Sequence, residues 1–120
     1  MVIYNQMVVD QILDNEQADR VFHALADGTR RDILLRTLEG EHNVSALARG
    51  YPMSFAAVQK HVAVLAAAGI VTKQRRGREV LVTGDIDAFR RAFALLAEYE
   101  AMWRSRLDRF EAVLDEDEGE

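Results

Sequence analysis

Apolar positions recur along this chain with two different periods, and the change of period locates the elements. Over Gln17–Ala26 the residues Val21, Phe22 and Leu25 share one side at helical spacing, and Asn5–Asp14 is a shorter amphipathic candidate before it. Asp27-Gly28 breaks the pattern. Thr29 is a natural N-cap for a second helix whose stripe is Ile33, Leu34, Thr37 and Leu38, ended by Gly40. Two short helices joined by a tight connection follow. Val44–Arg49 carries Val44, Leu47 and Ala48, Gly50-Tyr51-Pro52-Met53 turns the chain, and Ser54 caps a helix running to about Ala68, where Gly69 stops it. In that helix Val58, Val62 and Leu65 form the buried stripe, and Phe55, Ala56, Gln59, Lys60 and Ala63 take the other side.

After Gly69 the period falls to two. Ile70–Arg75 and Glu79–Thr83 read as a β-hairpin around Arg76-Gly77-Arg78. From Asp85 or Asp87 a long helix begins, with Phe89, Phe93, Leu96, Trp103, Leu107, Phe110 and Leu114 close to a heptad seam and Glu100 in its missing slot. The pattern predicts a mainly α fold with a small β-hairpin wing: a winged helix-turn-helix with terminal dimerisation helices. One domain is expected over 1–114, with a core at 17–83, a dimerisation helix at 85–114 and a frayed acidic tail at 115–120.

Composition narrows the function classes. At 120 residues the chain can bury one core, and 49% apolar with 29% charged residues fits a folded globular protein. No apolar run approaches the roughly 18 residues of a membrane span. The N-terminus has neither a basic region nor a sustained apolar one, so a cytoplasmic, membrane-free protein is expected. The absence of cysteine removes disulfides and thiolate metal sites.

The net charge of −5 conceals an uneven distribution. Positions 28–83 hold nine Lys/Arg against four Asp/Glu, whereas both flanks are acidic. A basic middle between acidic ends suits one surface meeting a polyanion. In the helix from Ser54 to Ala68, the exposed candidates are Ser54, Phe55, Ala56, Gln59, Lys60 and His61. Gln59 can bond adenine, Lys60 guanine or a phosphate, and Phe55 or Ala56 a thymine methyl. The hairpin tip supplies Lys73, Arg75, Arg76 and Arg78 for phosphates or the minor groove. An amphipathic helix with a solvated face, or a charged tip that blunts a sheet edge, would look the same in isolation. Their order and spacing together favour binding of double-stranded DNA.

Four motifs in one order extend this reading. LADGTRRDIL (Leu25–Leu34), VSALA (Val44–Ala48), AVQKHVAVLAAAGIV (Ala57–Val71) and RRGRE (Arg75–Glu79) resemble the ArsR/SmtB-type winged-helix repressors. The resemblance implies a homodimer built on the first and last helices, with Phe89, Phe93, Leu96, Trp103, Leu107 and Phe110 at its interface. It also implies a transcriptional repressor on an inverted-repeat operator, relieved in many members by an effector, here an unknown small molecule if there is one. Three departures stand out. Gly28 replaces the family's usual Pro. Pro52 replaces a Gly in the turn, so Gly50 is expected to supply the left-handed residue. The metal ligands are missing: Asn43, Val44 and Ser45 occupy the position of the Cys-x-Cys ligands, and Asp85, Asp87, Glu98 and Glu100 offer oxygen only where the last helix normally carries His. His23, His42 and His61 have no common ligand spacing, so neither metal nor cofactor is expected. No catalytic motif is present, and an enzyme is not expected. The alternative is a winged-helix protein-interaction module, against which the retained basic wing and polar recognition helix argue.

Overall fold

The computed structural model describes residues 14–118. Helix α1 (Asn15–Leu25) starts at Asp14, whose carboxylate accepts the Gln17 N–H at 2.8 Å. The stretch read as a helix over Asn5–Asp14 lies outside the described residues apart from Asp14. Helix α2 (Gly28–Glu39) is capped by Asp27, not by Thr29: the Asp27 carboxylate accepts the Arg30 N–H at 3.0 Å. That contact, larger than any other influence on the group, holds the carboxyl below the usual range. The boundary moved by two residues because Asp can cap as Thr can, which leaves Thr29 inside the first turn.

Asp27 at the cap puts Gly28 at the first helical position, the one interior site where proline is favoured. Asp27 is already extended (φ −129°, ψ 131°), as a residue before proline must be. Among the described residues beyond its chain neighbours and its own helix backbone, a Gly28 Cβ would meet within 4 Å only the tip of Arg31, at 3.7 Å. Gly28→Pro should therefore stabilise the protein by about 1 kcal/mol, by narrowing the unfolded ensemble. A urea midpoint unchanged or lowered at equal slope would refute this.

A two-residue strand β1 (His42–Asn43) leads directly into α3 (Val44–Ala48), with Asn43 serving as strand residue and N-cap at once, its Oδ1 accepting the Ser45 N–H at 2.8 Å. Helix α4 (Phe55–Ala67) begins at Ser54, whose Oγ accepts the Ala57 N–H. It ends in a Schellman arrangement: Gly69 is left-handed at φ +79°, its N–H bonds Ala66 O, and the Ile70 N–H bonds Leu65 O. Strands β2 (Val71–Arg76) and β3 (Glu79–Gly84) form an antiparallel hairpin, and β3 also pairs with β1, giving the order β1-β3-β2. The turn is Gly77-Arg78, one residue shorter than the sequence suggested, with Gly77 at φ +65° in the first central position.

The core is the one the periodicity outlines except on α1, where Ala18, Val21 and Ala24 are buried, Leu25 is half-buried and Phe22 lies outside the core cluster, because the small alanines let α1 pack closer on that side. Ile33, Leu34, Val58, Val62 and Leu65 are buried against Ile70, Val71 and Val82, with Val21 and Ala24 from α1 and Leu47 from α3. Among the described residues Thr37 is the buried polar exception; its hydroxyl donates back into α2, 2.9 Å from Ile33 O and 3.0 Å from Leu34 O.

Helix α5 (Ile86–Glu118) starts where the Asp85 carboxylate accepts the N–H groups of Asp87 and Ala88. Ala88, Ala92 and Phe89 join the core of their own chain. From Tyr99 to Glu116 every residue is exposed. The helix passes through Asp115–Glu118 and does not fray at Leu114, since no Gly, Pro or Asn interrupts residues 86–118.

Candidate nucleic-acid interface

Helix α4 is presented by the helix-turn-helix corner, and that corner is built on side chains. Gly50 is not left-handed; among the described residues only Gly69 and Gly77 have positive φ. A Cβ on Gly50 would instead lie 2.6 Å from a terminal nitrogen of Arg36, so the glycine makes room for that guanidinium. Arg36 stacks over the Tyr51 ring at 4.8 Å and pairs with Asp32 at 3.0 Å, while the Tyr51 hydroxyl donates to the same Asp32 oxygen at 2.6 Å. Burial first, and then the Asp32 carboxylate, push the Tyr51 phenol well above its ordinary range. The turn containing Pro52 is thus tied to α2 by Asp32, Arg36 and Tyr51, and α4 leaves it in a fixed direction.

The side of α4 away from the core is exposed as predicted: Ser54, Phe55, Ala56, Gln59, Lys60 and Ala63. Phe55 is 46% exposed, a large value for an aromatic side chain. Gln59 and Phe55 face the wing across a cleft of about 320 Å³, whose rim includes Ser45 of α3 and the cations Lys73, Arg75 and Arg78. His61 alone turns to the other flank of α4, against Arg30.

The register of the hairpin divides the wing cations. Lys73 and Arg75 pair with Val82 and Val80, and successive residues of a strand point to opposite faces, so these two share the cleft side. Arg76 faces the other way. It lies 3.6 Å from Glu41 and donates to Gln74 Oε1 at 3.4 Å. Arg78, in the turn, returns to the cleft. The structure therefore gathers Phe55, Gln59, Lys73, Arg75 and Arg78, leaves Lys60 exposed beside them, and separates Arg76 and His61.

Besides Arg76, three more of the nine cations counted in the basic middle are internally engaged. Arg30 and Arg31 donate to the last carbonyls of α1, at His23, Ala24 and Leu25, and Arg36 serves the corner. Arg30 and Arg31 satisfy the orphan carbonyls of a helix end and oppose its dipole. Among the described residues no group of three or more His, Cys, Asp or Glu could hold a metal ion, and no helix is long and apolar enough to cross a membrane.

A recognition helix, a helix-turn-helix corner and a three-stranded wing beside it define a winged helix-turn-helix regulator. The comparisons with known proteins agree. The chain is 39% identical over 92 residues, 77% of its own length and 76% of the relative's, to the HTH-type transcriptional regulator Rv2034 of Mycobacterium tuberculosis. A crystallised ArsR family transcriptional regulator superposes with a TM-score of 0.72 at 33% identity, covering 78% of this chain and 97% of that one. The homodimeric winged helix-turn-helix DNA-binding domain of Mb0332 from Mycobacterium bovis, a possible ArsR-family regulator solved by NMR, gives 0.59 at 29% identity, covering 72% and 79%. No protein-family model matches the chain. The chain belongs to the ArsR family of transcriptional regulators, and it is a regulator of transcription, not an enzyme.

Proposed function

We propose that this protein is a homodimeric repressor that docks α4 in the major groove of an inverted-repeat operator and lays the wing along the adjacent backbone. The observation that carries the reading is the cleft in which Gln59 and Phe55 meet Lys73, Arg75 and Arg78. A side chain with both a donor and an acceptor stands beside three cations, so base reading and phosphate neutralisation share one edge. Ser54, Ala56 and Lys60 extend the groove-facing surface, and Ser45 lies within reach of the same backbone.

Dimerisation follows from α5. Phe93, Leu96, Trp103, Leu107 and Phe110 are 43–63% exposed on one chain, more contiguous apolar surface than a lone domain keeps in water. Phe89 is the exception within the seam, because it packs against its own core at 6.0 Å from Phe93. A second copy covering this seam places two recognition helices about a twofold axis.

Selection of bound duplexes from random DNA tests the reading. An inverted repeat with half-site centres about 10 base pairs apart, or a multiple of that, is expected. Sedimentation at micromolar concentration should show a dimer, and Trp103→Ala should weaken it by about 2 kcal/mol as a central aromatic anchor does. No enrichment of any duplex would favour the protein-interaction alternative.

A further inference from the structure

His61 sits on the recognition helix but is held from behind. Its Nδ1 lies 3.2 Å from a terminal nitrogen of Arg30. A guanidinium has five N–H donors and no acceptor, so Nδ1 must carry the lone pair and the proton of the neutral ring sits on Nε2. Arg30 has little freedom to retreat. Its Nε donates to Ala24 O at 2.8 Å, its other terminal nitrogen to His23 O at 3.0 Å, and its backbone N–H is taken by the Asp27 cap. One guanidinium joins the end of α1, the start of α2 and the middle of α4.

Resting on the DNA-binding reading above, we propose that Arg30 is a positioning residue for the recognition helix, holding His61 as the neutral Nε2–H tautomer, and that protonation of His61 undoes this hold and reduces discrimination between DNA sequences. A proton on Nδ1 would set N–H against N–H and bring two positive charges to about the present 3.2 Å. The imidazolium must then turn away. Asp27 is the acid close enough to be felt, and it is engaged at the cap. Lys60 on the same helix adds a cation, α3 has no charged side chain, and Lys73 of β2 belongs to the cleft beside Gln59. The ionisable side chains of α1, Glu16, Asp19, Arg20 and His23, are all exposed.

The released imidazolium is a charge that any duplex attracts, so affinity for unrelated DNA holds or rises in acid. What is lost is the fixed setting of α4, which only sequence recognition requires. The sign follows: discrimination is full when the His61 ring is neutral and falls as acid protonates it.

Two measurements test this on the full chain. In ¹⁵N-histidine-labelled protein at pH 7.5, the His61 ring nitrogens should report the Nε2–H tautomer; an Nδ1–H ring or an imidazolium overturns the proposal. The affinity ratio between a duplex selected from the random pool and an unrelated duplex of equal length should fall about tenfold from pH 7.5 to 5.5, the scale of one hydrogen bond to a charged group. His61→Asn keeps an acceptor on Cγ where Nδ1 sits and cannot take a proton. It should bind the selected duplex at pH 7.5 and give a ratio that is flat with pH. A parent ratio as flat as the variant's, or a variant ratio as steep as the parent's, overturns the proposal. Absence of binding to any duplex at pH 7.5 overturns the DNA reading, and with it the effect on discrimination; DNA binding together with an Nδ1–H ring on the free protein overturns the proposal alone.

Discussion

Gly84→Ala should destabilise the protein by about 3 kcal/mol, the upper end of the cost of overpacking a fixed site. Gly84 ends β3, opposite Val71, where the sheet meets α2. A Cβ there would lie 2.7 Å from Leu38 Cδ2, 2.8 Å from Leu38 Cγ and 2.9 Å from the Leu38 backbone nitrogen. The leucine side chain can rotate, but the backbone nitrogen is part of α2 and moves only with the helix. On the other side the strand is pinned by its ladder to β2, by its pairing with β1, and by the bond from the Asp85 N–H to Ile70 O. Neither wall yields cheaply. Gly40 serves as the control: it is extended, at φ 171°, and a Cβ there meets none of the described residues beyond its chain neighbours within 4 Å, so Gly40→Ala should be close to neutral. Urea unfolding of the parent and both variants at one protein concentration checks the pair. Equal midpoints for the two variants would show that the approach of β3 to α2 is looser than described.

Most of the architecture could be read from periodicity because one side of nearly every element faces the same core. The stripes Ile33-Leu34-Thr37 and Val58-Val62-Leu65 are buried as residue spacing alone indicates. Strand β1 escaped detection for a physical reason: two residues show no alternation, and Asn43 carries the signal of a helix cap. The corner departs from its sequence pattern in the same way. Composition suggests that a glycine beside a proline supplies a left-handed turn, but Gly50 is needed for the space its missing Cβ leaves to Arg36. That demand arises from a residue fourteen positions away, and nothing local announces it.

The candidate site was legible in kind but not in its division of labour. Charge counting cannot distinguish a cation that reaches solvent from one that closes a helix end, and it placed Arg30 and Arg31 with the wing arginines. The i,i+4 relation of Asp32 to Arg36 was a usable signal that Arg36 would be engaged, since such pairs meet on a helix surface. Arg76 had a signal too. Alternation along β2 puts it on the opposite face from Lys73 and Arg75 once the strand limits are known. His61 had none, because its partner comes from another helix.

That alternation leads to the largest expected effect on binding. If Arg75 and Arg78 lie along phosphates, replacing both by Ala removes two contacts per subunit and four per dimer. Each contact contributes close to one unit to the slope of log K against log salt, so the double variant should lose about 4 units of slope. At about 0.1 M salt this amounts to a loss of affinity on the order of a thousandfold, shared by selected and unrelated duplexes because phosphates carry no sequence. Arg76→Ala should behave differently. Its guanidinium is already near Glu41 and Gln74 on the far face of the hairpin, so the slope should change by well under 1 unit per subunit. Gln59→Ala supplies the contrasting class: about 1–3 kcal/mol lost at the selected sequence, relaxed preference at one position of each half-site, and an unchanged slope. Fluorescence anisotropy over a salt series measures all four proteins. Equal slopes for the Arg76 variant and the Arg75/Arg78 variant would mean that the whole tip meets DNA, and that the cleft does not divide the wing.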